Sequence, residues 1–508
     1  MHKILFAASE AHPLVKTGGL GDVAGSLPAA LKHLHQDVRL ILPAYRVAMA
    51  NAGELREAAR LTLPGYDAPV RLWEGRLPGT RVPLYLVDYP TYFDRPGGPY
   101  AGPDGRDWPD NAARYALFAR AAVTVAMNQA GLDWQPDIVH CNDWQTGLIP
   151  ALLAQPVSSP VATSVHRRSA AAPPRPATLF TIHNLAYQGL FPWEIFQTLG
   201  LPHTLWSMDA MEFYGKFSFI KGGLVFADRL TTVSPTYARE IRTPALGCGL
   251  DGLLNHRAAQ LTGILNGADY NLWDPRHDPF IAHNYNTRTL QYKALNKTEL
   301  QRRFNLPQNN ELPLLGHVGR LVEQKGIDLL LDALPHLMQH PLQIAVLGSG
   351  ERRFEQALLQ SMERYPGRIG IIIGYHEELA HLVEAGADMF VMPSRFEPCG
   401  LNQLYSLRYG TAPIAHRTGG LADTIVDATP ENLKAARATG FLFDAPTPAA
   451  LHDAALRALT LFSRPPQWRK LMRRAMAQDF SWHQSARQYL ALYQQALADA
   501  RTSQHSRA

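Results

Sequence analysis

The sequence predicts an α/β protein built from two doubly wound parallel-sheet domains. Three observations carry this. Short apolar runs of four to six residues alternate with longer helix-patterned stretches along the chain. Runs of that length ending in Gly, Ser, His or Asn suit parallel strands buried on both faces. The rhythm breaks in a polar stretch after residue 265 and restarts after residue 310, which separates two series. The 508 residues, 46% hydrophobic and 18% charged, are too apolar for a disordered chain. At ~150 residues per domain they can fill two or three cores.

The first series comprises Lys3–Ala8, Val38–Leu42, Val82–Asp88, Ile138–His140, Thr178–His183 and Arg229–Val233. The second comprises Leu314–Val318, Gln343–Leu347, Ile369–Ile373, Met389–Met392 and Ala412–Ala415. Helical patterns between the runs make βαβ units the natural assembly, with ligands bound beyond the carboxyl ends of the strands. The join falls near Ile264-Leu265-Asn266-Gly267-Ala268-Asp269, giving domains at 1–265 and 266–478. Over 479–498, Ser481 and Gln484 have capping-box spacing, followed by a helical stripe of Trp482, Ala486, Tyr489, Tyr493 and Ala496. The stripe fits a closing helix of the second domain or one crossing back to the first. Residues 499–508 read as a disordered polar tail. Residues 157–177 are mostly Ala, Ser and Pro, with Arg167, Arg168 and Arg175 and no acid. They lack the apolar surface to offset their ordering entropy, so they read as a solvated insertion or a basic contact for a polyanion or partner.

The 49 Lys and Arg exceed the 44 Asp and Glu by five, too mild an excess for a nucleic-acid binder. No apolar run reaches the ~20 residues that span a bilayer. The opening Met1-His2-Lys3-Ile4-Leu5-Phe6-Ala7-Ala8-Ser9-Glu10 reads as a buried strand, not a signal peptide, so a cytoplasmic, membrane-free protein is expected. Cys141, Cys248 and Cys399 lie far apart, and no Asp-x-Asp, HExxH or CxxC occurs, so neither a metal nor another cofactor is expected.

Chemistry-bearing residues gather where strands end. Lys16-Thr17-Gly18-Gly19-Leu20-Gly21-Asp22 follows the first run. Its glycines permit close backbone approach to a ligand, and the next helix offers free N–H groups to an anion. The order matches neither a Walker loop nor a dinucleotide fingerprint, and a tight turn with an exposed lysine fits as well. Arg320 and Lys325, five residues apart beyond Val318, form a fork and a point charge that together can neutralise a diphosphate; two solvated cations are the plain alternative. Pro393-Ser394-Arg395-Phe396-Glu397-Pro398-Cys399-Gly400-Leu401 places an acid and a thiol before a helix opening at Gly400. A thiol there should be accessible, with a lowered pKa. Thr418-Gly419-Gly420 is a further glycine turn, and Asn142-Asp143, His183-Asn184 and Asn266-Gly267 add polar groups at strand ends.

In combination these segments resemble bacterial glycogen synthases and plant starch synthases, from about residue 3 to 495. The resemblance rests on Lys16–Val23, Asn142-Asp143-Trp144-Gln145, Thr181–Gly189, Thr232–Ala238, Ile264–Gly267, Arg320 to Gly326, Gly374-Tyr375, Glu397 to Gln403 and Thr418–Leu421. It implies a GT-B-type glycosyltransferase: two Rossmann-like domains facing a central cleft, with a C-terminal helix returning to the first. The implied reaction moves glucose from ADP-glucose to the non-reducing end of an α-1,4-glucan such as glycogen, with retention and without metal. The resemblance makes Glu397, His183, Lys325 and Arg320 the catalytic set. It gives the donor to Lys16, Gly18, Gly19, Asn266, Tyr375, Cys399, Gly400, Leu401, Thr418, Gly419 and Gly420, and the acceptor side to Asp143. Asn142 and Gln145 stand where the family usually has histidines, and the insertion at 157–177 lengthens a normally short connection. A glucosyltransferase with a small sugar acceptor, a nucleotide-sugar epimerase of related fold and a silent glucan-binding relative are the alternatives.

Overall fold

The structure, a computed structural model, describes residues 1–155 and 175–505, with side chains described as far as residue 500. The chain divides into two compact units. One comprises Met1–Val233, Ala238–Ile264 and Trp482–Ala508; the other comprises Ser234–Tyr237 and Leu265–Ser481.

The first unit carries strands β1 (Lys3–Ala7), β2 (Asp37–Pro43), β3 (Arg56–Leu61), β4 (Val70–Arg76), β5 (Pro83–Asp88), β6 (Ile138–Asn142), β7 (Ala177–Ile182), β8 (Leu190–Phe191), β9 (Glu212–Phe213), β10 (Lys216–Ser218), β11 (Arg229–Thr232) and β12 (Leu261–Gly263). Nine of them form one sheet in the order β12-β11-β7-β6-β1-β2-β5-β4-β3. It is parallel from β12 to β5, with β4 and β3 added antiparallel. Ile4, Leu5, Phe6 and Ala7 of β1 are fully buried, as a central strand covered on both faces requires. The chain winds from β1 out through β2 to β5, then begins again on the other side at β6. The order therefore reverses between β1 and β6, and the crevice beyond their carboxyl ends is where such sheets bind ligands.

The sequence runs did not contain β3, β4, β12 or the small β8-β10-β9 sheet. β3 and β4 alternate half-buried positions with charges such as Arg56, Glu57, Arg60, Arg71 and Glu74, so no continuous apolar run marks them. The last helix, Trp482–His505, packs on the helix Gly19–His33 and on β7. Trp482, Ala486, Tyr489, Tyr493 and Ala496 are all buried, and the Tyr493 hydroxyl lies 2.8 Å from His140 Nδ1 on β6. This helix runs through residues 499–505, which the sequence read as a disordered tail. Buried Ala500 and the Arg229–Asp499 ion pair at 2.5 Å hold its final turns. The stretch 157–177 lies outside the described residues except at its end. There Arg175 is not solvated but forms a two-pronged pair with Asp228, at 2.7 and 2.8 Å.

The second unit carries β13 (Leu314–Leu321), β14 (Gln343–Gly350), β15 (Ile369–Ile373), β16 (Met389–Met392), β17 (Ala412–His416) and β18 (Phe441–Phe443). They form an all-parallel sheet ordered β15-β14-β13-β16-β17-β18, which reverses between β13 and β16. The polar stretch after residue 265 is built into this unit. Trp273 stacks on His381 and Tyr405, with ring centroids 3.6 and 4.0 Å apart. Buried Asp278 accepts from His381 Nδ1 at 2.8 Å and from the Tyr409 hydroxyl. Buried acids are tolerable when so satisfied.

Candidate active site

In the first unit the site residues cluster beyond β1, β6 and β7. β1 runs into Ser9 and Glu10, and Glu10 is 3% exposed. The Thr17 hydroxyl donates to Glu10 Oε2 at 2.9 Å, and the Thr17 N–H donates to the same oxygen. Burial raises this carboxyl's pKa against the opposing pull of those donors. Glu10 thus pins the turn that presents Lys16 and Gly18, a role the sequence reading missed: nothing in the spacing ties an acid to a threonine seven residues on. Lys16 pairs with Asp22 at 2.8 Å. Gly21 makes room for this, since a Cβ there would sit 3.0 Å from Lys16 Cγ. Gly18 is different. Its backbone is extended, and an added Cβ would meet nothing within 4 Å. The protein itself does not demand glycine there, so the open space is available to a ligand.

Asp143 follows β6 with φ +60°, a conformation that costs a non-glycine residue roughly 1–3 kcal/mol and collects at functional sites. Its Oδ1 accepts the His183 N–H at 3.0 Å. Burial nonetheless pushes the carboxyl up to about 7. His183, at the end of β7, is 8% exposed, and burial lowers its ring to about 3, so it is neutral at physiological pH. Its Nε2 lies 3.0 Å from Asn142 Oδ1.

In the second unit the loops after β13 and β16 meet at the sheet's reversal point. β13 extends three residues beyond the expected Val318, so Arg320 lies within the strand and not past it, paired in register with Ser349 of β14. Arg320 is exposed, and its Nη2 is 3.5 Å from Gln324 Oε1. A short turn, Glu323–Lys325, then carries Lys325 inward. Gly326 closes it at φ +68°, where a Cβ would lie 2.0 Å from the Pro393 carbonyl oxygen. Lys325 Nζ reaches Glu397 Oε2 at 2.5 Å, and the Ser394 hydroxyl donates to the same oxygen at 2.9 Å. The Glu397 side chain is 8% exposed and that of Lys325 22%.

Gly419 and Gly420 hold this loop from below. A Cβ at Gly419 would fall 1.9 Å from the Glu397 carbonyl oxygen, and one at Gly420 2.1 Å from that of Cys399. Gly420 N–H donates to Glu397 O at 3.2 Å. Thr418, buried, opens the helix Gly419–Thr424. Ser234, after β11, donates to the Pro398 carbonyl at 2.6 Å, and Thr236 is held by Asp423 at 2.7 and 2.8 Å. Asn266 is 5% exposed, and its Oδ1 has no protein partner, an acceptor suited to a ligand hydroxyl. Tyr375, beyond β15, is 67% exposed and donates its hydroxyl to Glu377. Two expectations fail here. The helix opens at Asn402, not Gly400, because Gly400 has φ +74°. Cys399 is 4% exposed, and burial pushes its thiol up to about 12, so it is neither accessible nor acidic. Among the described residues, no group of three or more His, Cys, Asp or Glu is placed to hold a metal, and no helix is long and apolar enough to cross a membrane.

Comparison with known proteins agrees with these two halves. Residues 3–256 match the family described as starch synthase catalytic domain, and residues 299–474 match glycosyl transferases group 1. The chain is 58% identical to glycogen synthase 2 of Nitrosococcus oceani over 98% of each chain. It is 57% identical to a glycogen synthase of Thioalkalivibrio sulfidiphilus over 97% of this chain and 99% of that one. Among solved structures, the catalytic domain of starch synthase IV from Arabidopsis thaliana, bound to ADP and acarbose, aligns with TM-score 0.85 and 31% identity, covering 98% and 99% of the two chains. The fold alone is shared with a sucrose-phosphate synthase from Thermosynechococcus elongatus, at TM-score 0.59 and 18% identity over 98% of this chain and all of that one. With full-length identity this high, and two doubly wound sheets of the GT-B type, the chain belongs to the glycogen synthase and starch synthase family of glycosyltransferases.

Proposed function

We propose that this protein elongates an α-1,4-glucan such as glycogen, transferring glucose from ADP-glucose to the non-reducing end with retention and without a metal ion. The observation that carries the reading is the Lys325–Glu397–Ser394 cluster at the sheet reversal point of the second unit, with a cation and an acid fixed at 2.5 Å. Lys325, together with Arg320, would neutralise the leaving diphosphate by preorganised charge. Glu397 Oε2 accepts from two donors at once, which favours a carboxylate that holds sugar hydroxyls and steadies positive charge at the ring over one that attacks the anomeric carbon. His183 would contact the transferred sugar. Lys16, Gly18, Gly19, Asn266, Tyr375, Cys399, Gly400, Leu401, Thr418, Gly419 and Gly420 would contact the donor, and Asp143 would serve the acceptor side. For a buried, protonated thiol, the role of Cys399 is that of a weak S–H donor, not a nucleophile.

The test incubates the protein with ADP- or UDP-glucose labelled in the sugar, with glycogen and with excess chelator. The reading expects label in polymer, faster from ADP-glucose and undiminished by chelation. Label in a small saccharide would support the small-acceptor reading, and an epimerised nucleotide sugar the isomerase. Activity lost with chelator and restored by magnesium or manganese would refute metal independence.

A further inference from the structure

Asn142 ends β6 inside the first unit's core and is fully buried. Its amide nitrogen donates to the Ala7 carbonyl on β1 at 3.0 Å and to the His140 carbonyl at 3.3 Å. Flipping the amide would set its oxygen against two carbonyl oxygens, so the orientation is fixed with Oδ1 towards His183. An amide oxygen only accepts. The 3.0 Å contact from His183 Nε2 therefore requires the proton on Nε2, which leaves Nδ1 as the ring's lone-pair acceptor. The His183 backbone is held as well, its N–H donating to Asp143 Oδ1 at 3.0 Å. The two residues of the β6 turn thus grip ring and main chain separately.

We propose that Asn142 is a positioning residue that locks His183 as the Nε2–H tautomer, so that the ring offers Nδ1 as a hydrogen-bond acceptor to a hydroxyl of the transferred glucose. The sugar contact rests on the role assigned to His183 above; the lock does not. The titratable neighbours are Asp143 on the same turn and His140 two residues before Asn142, with Glu10 acting in turn on Asp143. His140 is itself engaged, with Nδ1 at the Tyr493 hydroxyl and Nε2 at the Thr181 hydroxyl, 2.8 and 2.7 Å away. Asn142 is the partner seen at His183 Nε2, and it is a residue that cannot ionise. A carboxylate at that position would favour imidazolium and take the acceptor away. An amide keeps the ring neutral while still fixing its tautomer.

The test needs no turnover for its first part. In protein labelled with 15N-histidine, two-bond proton–nitrogen correlations report which ring nitrogen of His183 carries the proton, with a His183→Gln variant assigning the signal. The lock predicts Nε2–H in wild type and a mixture of tautomers in Asn142→Leu. In that variant kcat should fall by about tenfold, the loss of one well-placed hydrogen bond, with KM for the nucleotide sugar within about twofold. Asn142→Asp keeps an acceptor for Nε2–H. Its activity should recover at high pH and fall on an acid limb additional to any that Asp143 gives wild type and Asn142→Leu alike, as the raised His183 pKa is crossed. Nδ1–H in wild type would overturn the proposal whatever the variants do. So would a folded Asn142→Leu with wild-type kcat, or one with a lowered melting temperature but an unchanged tautomer and kcat. Full kcat in His183→Ala would remove the sugar contact, and with it that part of the proposed function, while the tautomer measurement still decides the lock.

Discussion

Replacing Lys325 with Ala removes the cation 2.5 Å from Glu397 Oε2 and leaves a carboxylate whose side chain is 8% exposed beside the Ser394 hydroxyl at 2.9 Å. Truncating one member of a fully buried pair costs about 3–5 kcal/mol. The Lys325 side chain is 22% exposed, so water reaches the vacated space, and Ser394 still donates. The expected loss is therefore nearer 1–3 kcal/mol. At about 3 °C per kcal/mol for a unit of this size, that lowers the melting temperature by roughly 3–9 °C. Removing the stranded acid too, in Lys325→Ala/Glu397→Ala, should recover part of the loss, with a coupling of about 1–2 kcal/mol. The chemical penalty is separate. Loss of one preorganised cation aimed at the leaving group should lower kcat by on the order of 10²–10³, and the double variant should fall less than the product of the singles. Thermal unfolding and glucan incorporation measure the two effects independently. A folded Lys325→Ala with wild-type kcat would refute the catalytic assignment, and additive stability losses would refute the paired geometry.

Four further outcomes follow from the packing. Burial holds the Asp143 carboxyl at about 7, so between roughly pH 4 and 7 the folded protein keeps a proton that the unfolded chain has released. That contribution is complete at low pH and is lost as pH rises through 7. Asp143→Asn should therefore be more stable than wild type at pH 8 by on the order of 4 kcal/mol, with the gap closing towards pH 4; a pH-independent gap would contradict this. Native alkylation followed by peptide mass spectrometry should label exposed Cys248 and spare Cys399 and Cys141, and prompt labelling of Cys399 would contradict its burial. Gly419→Ala, at φ +44° with its Cβ 1.9 Å from a carbonyl oxygen, should cost several kcal/mol, about 2–4 by the size of such backbone effects. Gly18→Ala should leave stability within about ±0.5 kcal/mol yet raise KM for the nucleotide sugar. Equal stability losses in the two would show that both glycines serve only the fold.

Most of the buried parallel strands were legible because each is a short apolar run closed by a turn residue, as in β1 through Ala7, whereas β12 and β18, three residues each, are too short to stand out as runs. The antiparallel pair β3 and β4 was not, since half its side chains face water and are charged. The strand-end placement of Asp143, His183, Lys325 and Glu397 followed from chain order alone. What sequence order could not express is contact. Glu10 holds Thr17, Ser394 shares Glu397 Oε2 with Lys325, and Asn142 orients His183, all through hydrogen bonds between segments with no common spacing. The misreading of Cys399 has the same origin. A helix start nearby suggests an acidic thiol, but Cys399 is 4% exposed, and desolvation wins.

The central claim is glucan elongation from ADP-glucose with retention, and proton NMR of the reacting mixture tests it most directly. Supplied with ADP-glucose, a short α-1,4-linked oligosaccharide and chelator, the protein should produce new anomeric signals of α-1,4 linkages in step with ADP release, and a lengthened chain that an exo-acting α-1,4-glucosidase degrades from its non-reducing end. New β-anomeric signals, or ADP released with no change in the oligosaccharide, would contradict the account.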